Sequence, residues 1–155
     1  KMDKTVEITQ LINEILRDSR EMVLATAANS VPWVSVLVFG HDEKFNLYWL
    51  SDTDTRHSLE LEKNPIVAAA VTKEPTGGGQ DKGLQIQGKA RKLKEEEILG
   101  AAREYFAKRG TDHMPTSLEE ANELTRGRSW YVLEPTKIMV IYGPLYGYER
   151  KEFTP

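Results

Sequence analysis

The sequence predicts a mainly β fold, an antiparallel β-barrel with helices at its periphery. Three observations favour this class. The segments with strand character are short and rich in β-branched and aromatic residues. Helices and strands do not follow the regular βαβ alternation that a parallel sheet requires. The segment 83–93 (GLQIQGKARKL) alternates between apolar and polar residues, as expected for a strand with one face on a core and a polar opposite face.

Length and composition are those of an ordinary globular chain. The 155 residues are 39% hydrophobic and 29% charged, which suits one domain spanning residues 1–155. No apolar run approaches the roughly 20 residues that a membrane-spanning helix needs, and the start of the chain lacks the apolar region of a signal peptide. We therefore expect a cytoplasmic protein that does not contact a membrane.

The charge and the metal-binding residue types exclude several classes of site. The formal net charge of −3 argues against nucleic acid, whose phosphates bind clusters of Lys and Arg. The chain has no cysteine and only three histidines, His41, His57 and His113, which lie too far apart in sequence for a local metal motif. We expect no nucleic-acid partner and no protein-bound metal.

The first third of the chain predicts one helix and three strands. Residues 5–17 place apolar residues at helical spacing, which indicates an amphipathic helix with one buried stripe. Two strands follow at 22–28 and 31–39, joined by a tight turn at Asn29–Ser30, and a third strand covers 47–51. We expect these three strands to form an antiparallel meander.

A second helix follows the third strand. Asp54 or Thr55 is its N-cap, and it ends before Pro65 because the residue preceding a proline disfavours the helical region. Residues 66–72 then predict a buried strand, and 73–82 a loop.

The last third of the chain predicts two helices and three strands. Residues 95–110 begin with acidic residues and end with basic residues and glycine, which favours a helix. A shorter helix lies at 117–124. Strands at 128–133 and 137–143 are interrupted by a Glu-Pro pair, and a short edge strand falls within 145–153.

The second helix start is the strongest candidate for an anion site. Arg56 and His57 lie in its first turn, where free backbone N–H groups and a guanidinium together suit a phosphate. Nearby hydroxyl groups add donors: Ser51, Thr53 and Thr55. In the other interpretation Asp54 or Thr55 only caps the helix, and Arg56 and His57 are solvated. The residues alone favour that second interpretation, because carboxylates beside a phosphate are unfavourable.

Other conspicuous residues carry no function by themselves. The triple glycine at 77–79 lacks the GxxxxGK[ST] pattern of a phosphate-binding loop and leads into a strand, so a flexible loop is expected. His41 and His113 lie in polar segments, and we expect both to be exposed and without a role. The three tryptophans lie within predicted strands and are expected in the core: Trp33, Trp49 and Trp130.

Several segments occur in the order found in a known family. They are the strands VLATAA, PWVSVLVF and LYWLS, the helix start Thr55-Arg56-His57, the strand entry Asn64-Pro65, the Gly-x-Ala part of GLQIQGKARKL and a closing strand from Trp130 to Tyr142. In this order the chain resembles the FMN-binding split-barrel family that includes pyridoxamine-phosphate oxidase. The resemblance implies an antiparallel FMN-binding split barrel.

The resemblance also implies a cofactor site. In that family FMN lies at the interface of a homodimer, with its phosphate on an Arg-Lys pair and on the second strand, and its ring against the end of the third strand. Carried over to this sequence, Arg56 in the Thr55 turn matches the arginine, His57 replaces the lysine, Ser35 replaces a phosphate-contacting arginine, Leu50 and Ser51 end the third strand, and Gln85 is a ring contact. Since a charge-assisted hydrogen bond contributes about 1.5–3 kcal/mol, losing two basic contacts implies weaker FMN binding than in the oxidase.

The activity implied is that of a relative rather than of the oxidase. Residues 142–153 contain no counterpart of the Arg-x-His segment with which the oxidase holds its substrate. We therefore expect an FMN-binding protein that is a flavin-dependent oxidoreductase for an unknown small molecule. The sequence names no catalytic side chain.

Two alternatives stay open. The chain is a non-catalytic split-barrel dimer that binds another ligand, such as haem or a deazaflavin, or that lacks a cofactor; His57 in place of the family lysine favours this alternative. In the other alternative, the chain is an unrelated antiparallel α+β binding module.

Overall fold

The computed structural model describes residues 4–73 and 78–155, with side chains from residue 7 onward. Its elements are α1 (Lys4–Asp18), β1 (Glu21–Ala28), β2 (Val31–Val38), β3 (Gly40–His41), β4 (Leu47–Ser51), α2 (Arg56–Lys63), β5 (Ile66–Lys73), β6 (Lys82–Lys92), α3 (Glu95–Arg109), α4 (Leu118–Glu123), β7 (Ser129–Tyr142), α5 (Gly143–Tyr146) and β8 (Arg150–Phe153). Residues 74–77 of the predicted loop, including the first of its three glycines, lie outside the described residues.

The strands form one antiparallel sheet in the order β2-β1-β5-β6-β7-β4-β3, with β8 also on β7. The strands β2 and β3 lie at opposite ends of this order, yet only Phe39 separates them in the chain. One residue spans at most about 3.6 Å, so the sheet must curl until its two edges approach. The predicted antiparallel barrel with peripheral helices is confirmed as a split barrel.

The predicted meander of the first three strands is wrong. The strands β1 and β2 do pair, through a turn in which Asn29 and Ser30 both have positive φ. The strand β4, however, pairs with β7 and β3. The chain changes edge at Phe39, whose side chain is fully buried, and at Gly40, which packs against α3 so closely that a Cβ there would lie 2.5 Å from the Cα of Tyr105.

Two strand predictions also need correction. The strand β5 is buried on one face only: Val67 and Val71 face the core, whereas Ile66 is 48% exposed. The strand β7 is continuous from Ser129 to Tyr142, where two strands were predicted. Pro135 fits because it lies opposite Gly88, where the register shifts, and a bulge tolerates a residue that cannot donate to the ladder.

Most of the remaining elements match the predictions, although the short helix α5 was not predicted. The helix α1 buries the predicted stripe, and α3 ends at Gly110 in the left-handed region. The helix α4 is capped by Ser117, whose hydroxyl accepts from the N–H of Glu120. The tail forms β8 as an edge strand on β7, preceded by the short helix α5. Among the described residues, no helix is both long and apolar enough to cross a membrane.

Two apolar clusters hold the barrel together. The larger cluster fills the barrel interior under α1, where Trp49 and Tyr131 stack with ring centroids 5.7 Å apart. The smaller cluster lies between the sheet and α3 and α4, and includes Leu50, Tyr105 and Trp130. Burying each large apolar side chain contributes about 1.5–3 kcal/mol. The tight packing against both helices fixes the ends of β2 and β4, between which the candidate site lies.

Candidate functional site

The imidazole of His57, in the first turn of α2, contacts side chains of two strands, β2 and β4. Its Nδ1 lies 3.1 Å from the hydroxyl of Ser35 on β2, and its Nε2 lies 2.7 Å from the hydroxyl of Ser51 on β4. A neutral imidazole has one N–H and one acceptor nitrogen, so one serine accepts a hydrogen bond and the other donates one. The side chain is buried, with 7% of its surface exposed. These contacts make His57 a hydrogen-bonded centre of the site.

Burial also keeps His57 neutral. It lowers the pKa of His57 below its ordinary value of 6.5, and the nearby carboxylate of Glu60 offsets this only in part. At neutral pH the imidazole therefore supplies hydrogen bonds and no positive charge. A lysine at this position would supply a cation, so the His57 replacement changes the electrostatics of the site.

The turn before α2 is tied to the same cluster. The hydroxyl oxygen of Thr55, the N-cap residue, lies 3.2 Å from His57 Nε2, 2.8 Å from Ser58 Oγ and 3.0 Å from the carbonyl oxygen of Asp52. The Ser58 hydroxyl donates to that same carbonyl at 2.9 Å. The Thr55 side chain makes no cap hydrogen bond to the helix backbone. The hydroxyl groups therefore stabilise the turn and leave the first N–H groups of α2 without a side-chain cap.

Arg56 lies at the border of this cluster and is half-exposed. Its Nε donates to Glu60 Oε1 at 2.8 Å, and the other oxygen of Glu60 accepts from the hydroxyl of Thr26 at 2.6 Å. The indole of Trp33 covers one face of the guanidinium, 4.3 Å from the ring centroid to Cζ. The two terminal nitrogens of Arg56 have no hydrogen-bond partner among the described residues.

Trp33 corrects the expectation that all three tryptophans belong to the core. Trp49 and Trp130 are buried, but Trp33 is 43% exposed. Its side chain points to the same side of β2 as Ser35, two residues further along the strand. It therefore contributes to the surface beside α2.

Two predicted site residues lie apart from the cluster. The side chain of Leu50 is packed in the smaller apolar cluster under α3 and α4. Gln85 lies on the outward face of β6, between Ala70 of β5 and Met139 of β7. It lines a cavity of about 410 Å³ there. The structure thus brings together Ser35, Ser51, Thr55 and His57, with Arg56 beside them.

The outward side of the sheet is largely apolar and exposed. We call it the outer sheet face; it consists of Val23, Ala25, Val34, Val36, Ala68, Ala70, Gln85, Gln87, Lys137 and Met139. The ladder aligns these residues in two rows across five strands. Val34 and Val36 are 60% and 65% exposed. Contiguous apolar side chains at such exposure mark a surface suited to binding another molecule.

A larger cavity of about 900 Å³ lies elsewhere and has the wrong charge for a phosphate. Five carboxylates line it: Asp42, Glu43, Glu97, Glu104 and Glu134. Burial raises the pKa of Glu104, and the neighbouring carboxylates of Asp42 and Glu43 raise it further. Such crowding of negative charge opposes an anion. The cluster at α2 remains the better candidate for an anionic ligand.

Sequence reasoning missed Glu60, Thr26 and the role of Trp33. The spacing of Arg56 and Glu60, four residues apart on a helix, is a signal for an ion pair that the sequence does contain. Thr26 and Trp33 face each other in the β1–β2 ladder, as a two-residue turn at Asn29–Ser30 dictates. No sequence pattern places that pair against α2.

Of the two histidines expected to be exposed, His113 is exposed and His41 is not. His113 is exposed and pairs with Glu120. His41 is half-buried, and its Nδ1 has no hydrogen-bond partner among the residues that the structure describes. Burial lowers the pKa of His41 to about 4, and the positive charge of Lys108 lowers it in the same direction. Neither histidine lies in the cluster at α2.

Comparison with known proteins gives one family and one curated relative. The family model described as pyridoxamine 5′-phosphate oxidase matches residues 8–142. The UPF0306 protein YE0465 of Yersinia enterocolitica is 27% identical over 100 residues, which cover 64% of this chain and 67% of that protein.

Solved structures show the same fold at low identity. A haem-binding protein from Mycobacterium smegmatis superposes with a TM-score of 0.73 at 16% identity, over 94% of this chain and 57% of the other. A FAD-binding protein from Mesorhizobium loti superposes with a TM-score of 0.63 at 19% identity, over 82% of this chain and 88% of the other. At these identities the similarity concerns the fold.

Proposed function

Because the chain belongs to the pyridoxamine 5′-phosphate oxidase family, we propose that it binds FMN and acts as a flavin-dependent oxidoreductase on a small molecule. The observation that carries this proposal is the start of α2, where half-exposed Arg56 has two terminal nitrogens without a hydrogen-bond partner among the described residues. It adjoins Thr55 and His57 in the chain, and His57 contacts Ser35 and Ser51. The similarity to a FAD-binding structure supports a flavin as the ligand.

The residues of the cluster fit a phosphate group. A guanidinium with two free N–H-bearing nitrogens matches two phosphate oxygens in a bidentate arrangement. The uncapped N–H groups of α2, an eight-residue helix, and the Thr55 hydroxyl add neutral donors. Asp54 and Glu60 line the adjoining cavity of about 460 Å³; the carboxylate of Asp54 opposes an anion, whereas that of Glu60 is paired with Arg56. Arg56 and Lys63 line the same cavity, so two cations balance two carboxylates, which implies binding that is weaker than in a site with an excess of cations.

The roles of the protein groups follow from their geometry. Arg56 binds the phosphate, while neutral His57 holds Ser35 and Ser51 in place so that β2 and β4 keep a fixed separation. The flavin supplies the redox chemistry when bound, and the protein supplies position and electrostatics. Leu50 shapes the end of β4 from within the apolar cluster, and Gln85 is the ring contact that the outer sheet face offers. No side chain of the cluster is assigned a proton-transfer step.

We further propose that the protein is a homodimer with the cofactor at the interface. The outer sheet face supports this, because Val34 and Val36 are more than half exposed in the single chain and Gln85 lies on the same face. A second copy would remove that apolar surface from water. In that dimer, the cluster at α2 and the ring contact at Gln85, which lie apart in the single chain, would both belong to one cofactor site.

The similarity to a haem-binding structure makes haem the competing ligand. His57 is a poor candidate for an iron ligand, because both of its ring nitrogens are engaged by serine hydroxyl groups. Haem binding through this residue would require breaking one of those hydrogen bonds.

An absorbance spectrum of the purified protein and a titration with FMN test the proposal. We expect flavin absorbance that survives desalting, or saturable binding of added FMN, and a loss of binding of about tenfold or more in Arg56→Ala. Arg103→Ala, which removes an exposed arginine on α3, is the matched control and keeps wild-type affinity. A Soret band in place of flavin absorbance, or no binding of FMN at micromolar concentration, would refute the proposal.

A further inference from the structure

Two neighbours, Glu60 and Trp33, hold the long side chain of Arg56 in one position. Free arginines on a surface sample many rotamers, and ordering one on binding costs about 0.5–1.5 kcal/mol. Here the Nε is bound to Glu60 and one face of the guanidinium lies against Trp33. The side chain is therefore ordered before any ligand arrives.

Glu60 is itself anchored to the barrel. It is 8% exposed, and its second carboxylate oxygen accepts a hydrogen bond from Thr26 on β1. Both oxygens are thus used, one by the strand and one by Arg56. The hydrogen bond from Thr26, and after it the one from Arg56, lowers the pKa of Glu60, so the carboxylate stays ionised at neutral pH.

The two supports of Arg56 come from facing positions of one hairpin. Thr26 and Trp33 are direct partners in the β1–β2 ladder. The hydroxyl that fixes Glu60 and the indole that covers the guanidinium are therefore held at a constant separation by the strands. The helix α2 supplies only the two side chains that dock onto this pair.

This arrangement leaves the edge of the Arg56 guanidinium that carries the two terminal nitrogens available to an anion. Glu60 accepts only from Nε, so the edge formed by the two terminal nitrogens makes no hydrogen bond within the described residues. An anion can bind that edge without displacing the carboxylate. A salt bridge within the site then serves to aim the arginine and does not block it.

We infer that Glu60, Thr26 and Trp33 are positioning residues that hold Arg56 ready for the phosphate of the cofactor. The inference rests on the proposed function and adds residues that act on the phosphate only through Arg56. Because the preorganisation concerns the phosphate alone, it strengthens FMN relative to riboflavin, which has the same ring and no phosphate. The expected gain is about threefold to tenfold, the factor that corresponds to not ordering one long side chain on binding.

The test compares the dissociation constants of riboflavin and FMN, measured by quenching of flavin fluorescence. The dissociation constant of riboflavin divided by that of FMN isolates the contribution of the phosphate. We expect Glu60→Ala and Thr26→Val to lower this ratio by about threefold to tenfold, with riboflavin affinity unchanged. Glu60→Gln, which keeps an oxygen acceptor for Nε, and Thr26→Ser, which keeps the hydroxyl, retain the ratio. In an Arg56→Ala background, Glu60→Ala has no further effect.

A second readout needs no ligand. Trp33 is 43% exposed, whereas Trp49 and Trp130 are buried, so acrylamide quenching of tryptophan fluorescence reports mainly on Trp33. We expect quenching to increase in Glu60→Ala and in Thr26→Val, because the guanidinium leaves the indole. Thr26→Val keeps the inference testable if Glu60→Ala does not fold.

Each outcome decides the inference. A ratio that rises in Glu60→Ala means that Glu60 competes with the phosphate, and an unchanged ratio means that Arg56 needs no support; both overturn the inference and leave the proposed function intact. A wild-type protein that binds FMN no better than riboflavin overturns the phosphate site and the inference together.

Discussion

The ammonium group of Lys108 lies over the ring of Phe39, 3.4 Å from the ring centroid. It also donates to the main-chain carbonyl of Leu16 at the end of α1. One lysine of α3 thus contacts the residue that leads into β3 and the last turn of another helix. Burial at this junction lowers the pKa of Lys108 to about 7.

This burial predicts stability that increases with pH. The folded-state pKa of Lys108 lies below the ordinary 10.5, so the unfolded chain takes up the proton first as the pH falls. The free energy of unfolding should therefore decrease from pH 9 to pH 7. Lys108→Met should remove this dependence, on the order of 1 kcal/mol after allowing for solvent screening. Urea unfolding at both pH values measures it, and Lys89→Met on the surface keeps the wild-type dependence. Identical slopes for wild type and Lys108→Met would contradict the prediction.

From the burial of His41 we predict that the folded protein loses stability in acid. Burial, and then the charge of Lys108, lowers its pKa to about 4 from the ordinary 6.5. As the pH falls from 6.5 to 4, the unfolded chain binds a proton that the folded protein resists, and the melting temperature should decrease. His41→Gln should melt with a weaker dependence on pH in this window. His113→Gln, at an exposed position, is the control; an equal effect of both variants would exclude His41 as the source.

From the burial of His57 we predict that FMN affinity is almost independent of pH near neutrality. Because burial lowers the pKa of His57 below its ordinary value, the imidazole is mainly uncharged between pH 8 and pH 6.5 and adds little attraction to the phosphate. Flavin fluorescence titrations over this range should agree within about twofold. His57→Gln should show the same flat profile. An affinity that increases several-fold toward pH 6.5 in wild type, and not in His57→Gln, would show that His57 is protonated on binding.

At two glycines, we predict that the same substitution to alanine has opposite effects on the unfolding free energy. A Cβ on Gly88 would lie 2.3 Å from the carbonyl oxygen of Glu134, across the β6–β7 bulge, whereas a Cβ on Gly100 in α3 meets no atom within 4 Å. Gly88→Ala should cost more than about 2 kcal/mol of unfolding free energy. Gly100→Ala should stabilise by about 0.5–1 kcal/mol, because alanine is the better helix former. Chemical denaturation measures both, and a neutral Gly88→Ala would show that the bulge adapts.

The outer sheet face predicts the oligomeric state. Val34→Glu and Val36→Glu place charges on side chains that are already exposed in the single chain, so the fold should tolerate them. A dimer formed through this face should dissociate, because burying an unpaired carboxylate is costly. Size-exclusion chromatography with light scattering measures the mass, and Leu145→Glu on α5 is the control, since Leu145 is exposed but off this face. A dimer that survives both sheet variants uses another surface.

Local pattern was enough for most elements of this fold. The alternation in 83–93, the apolar spacing in α1 and the glycine after α3 each act within a few residues, so they predict strand, helix and helix end correctly. The pairing of β4 with β7 was not predictable in this way. It depends on how far the sheet curls and on α3 packing against Gly40, and these contacts join residues far apart in the chain.

The candidate site, like the fold, was predictable from local sequence signals only in part. The sequence by itself determined that Arg56 and His57 stand at a helix start after a strand, because caps, prolines and strand ends are local signals. Only the tertiary structure decided that His57 lies buried and neutral between Ser35 and Ser51, because that depends on β2 and β4 meeting around α2. Burial sets the protonation state of a side chain, and burial is a property of the folded chain.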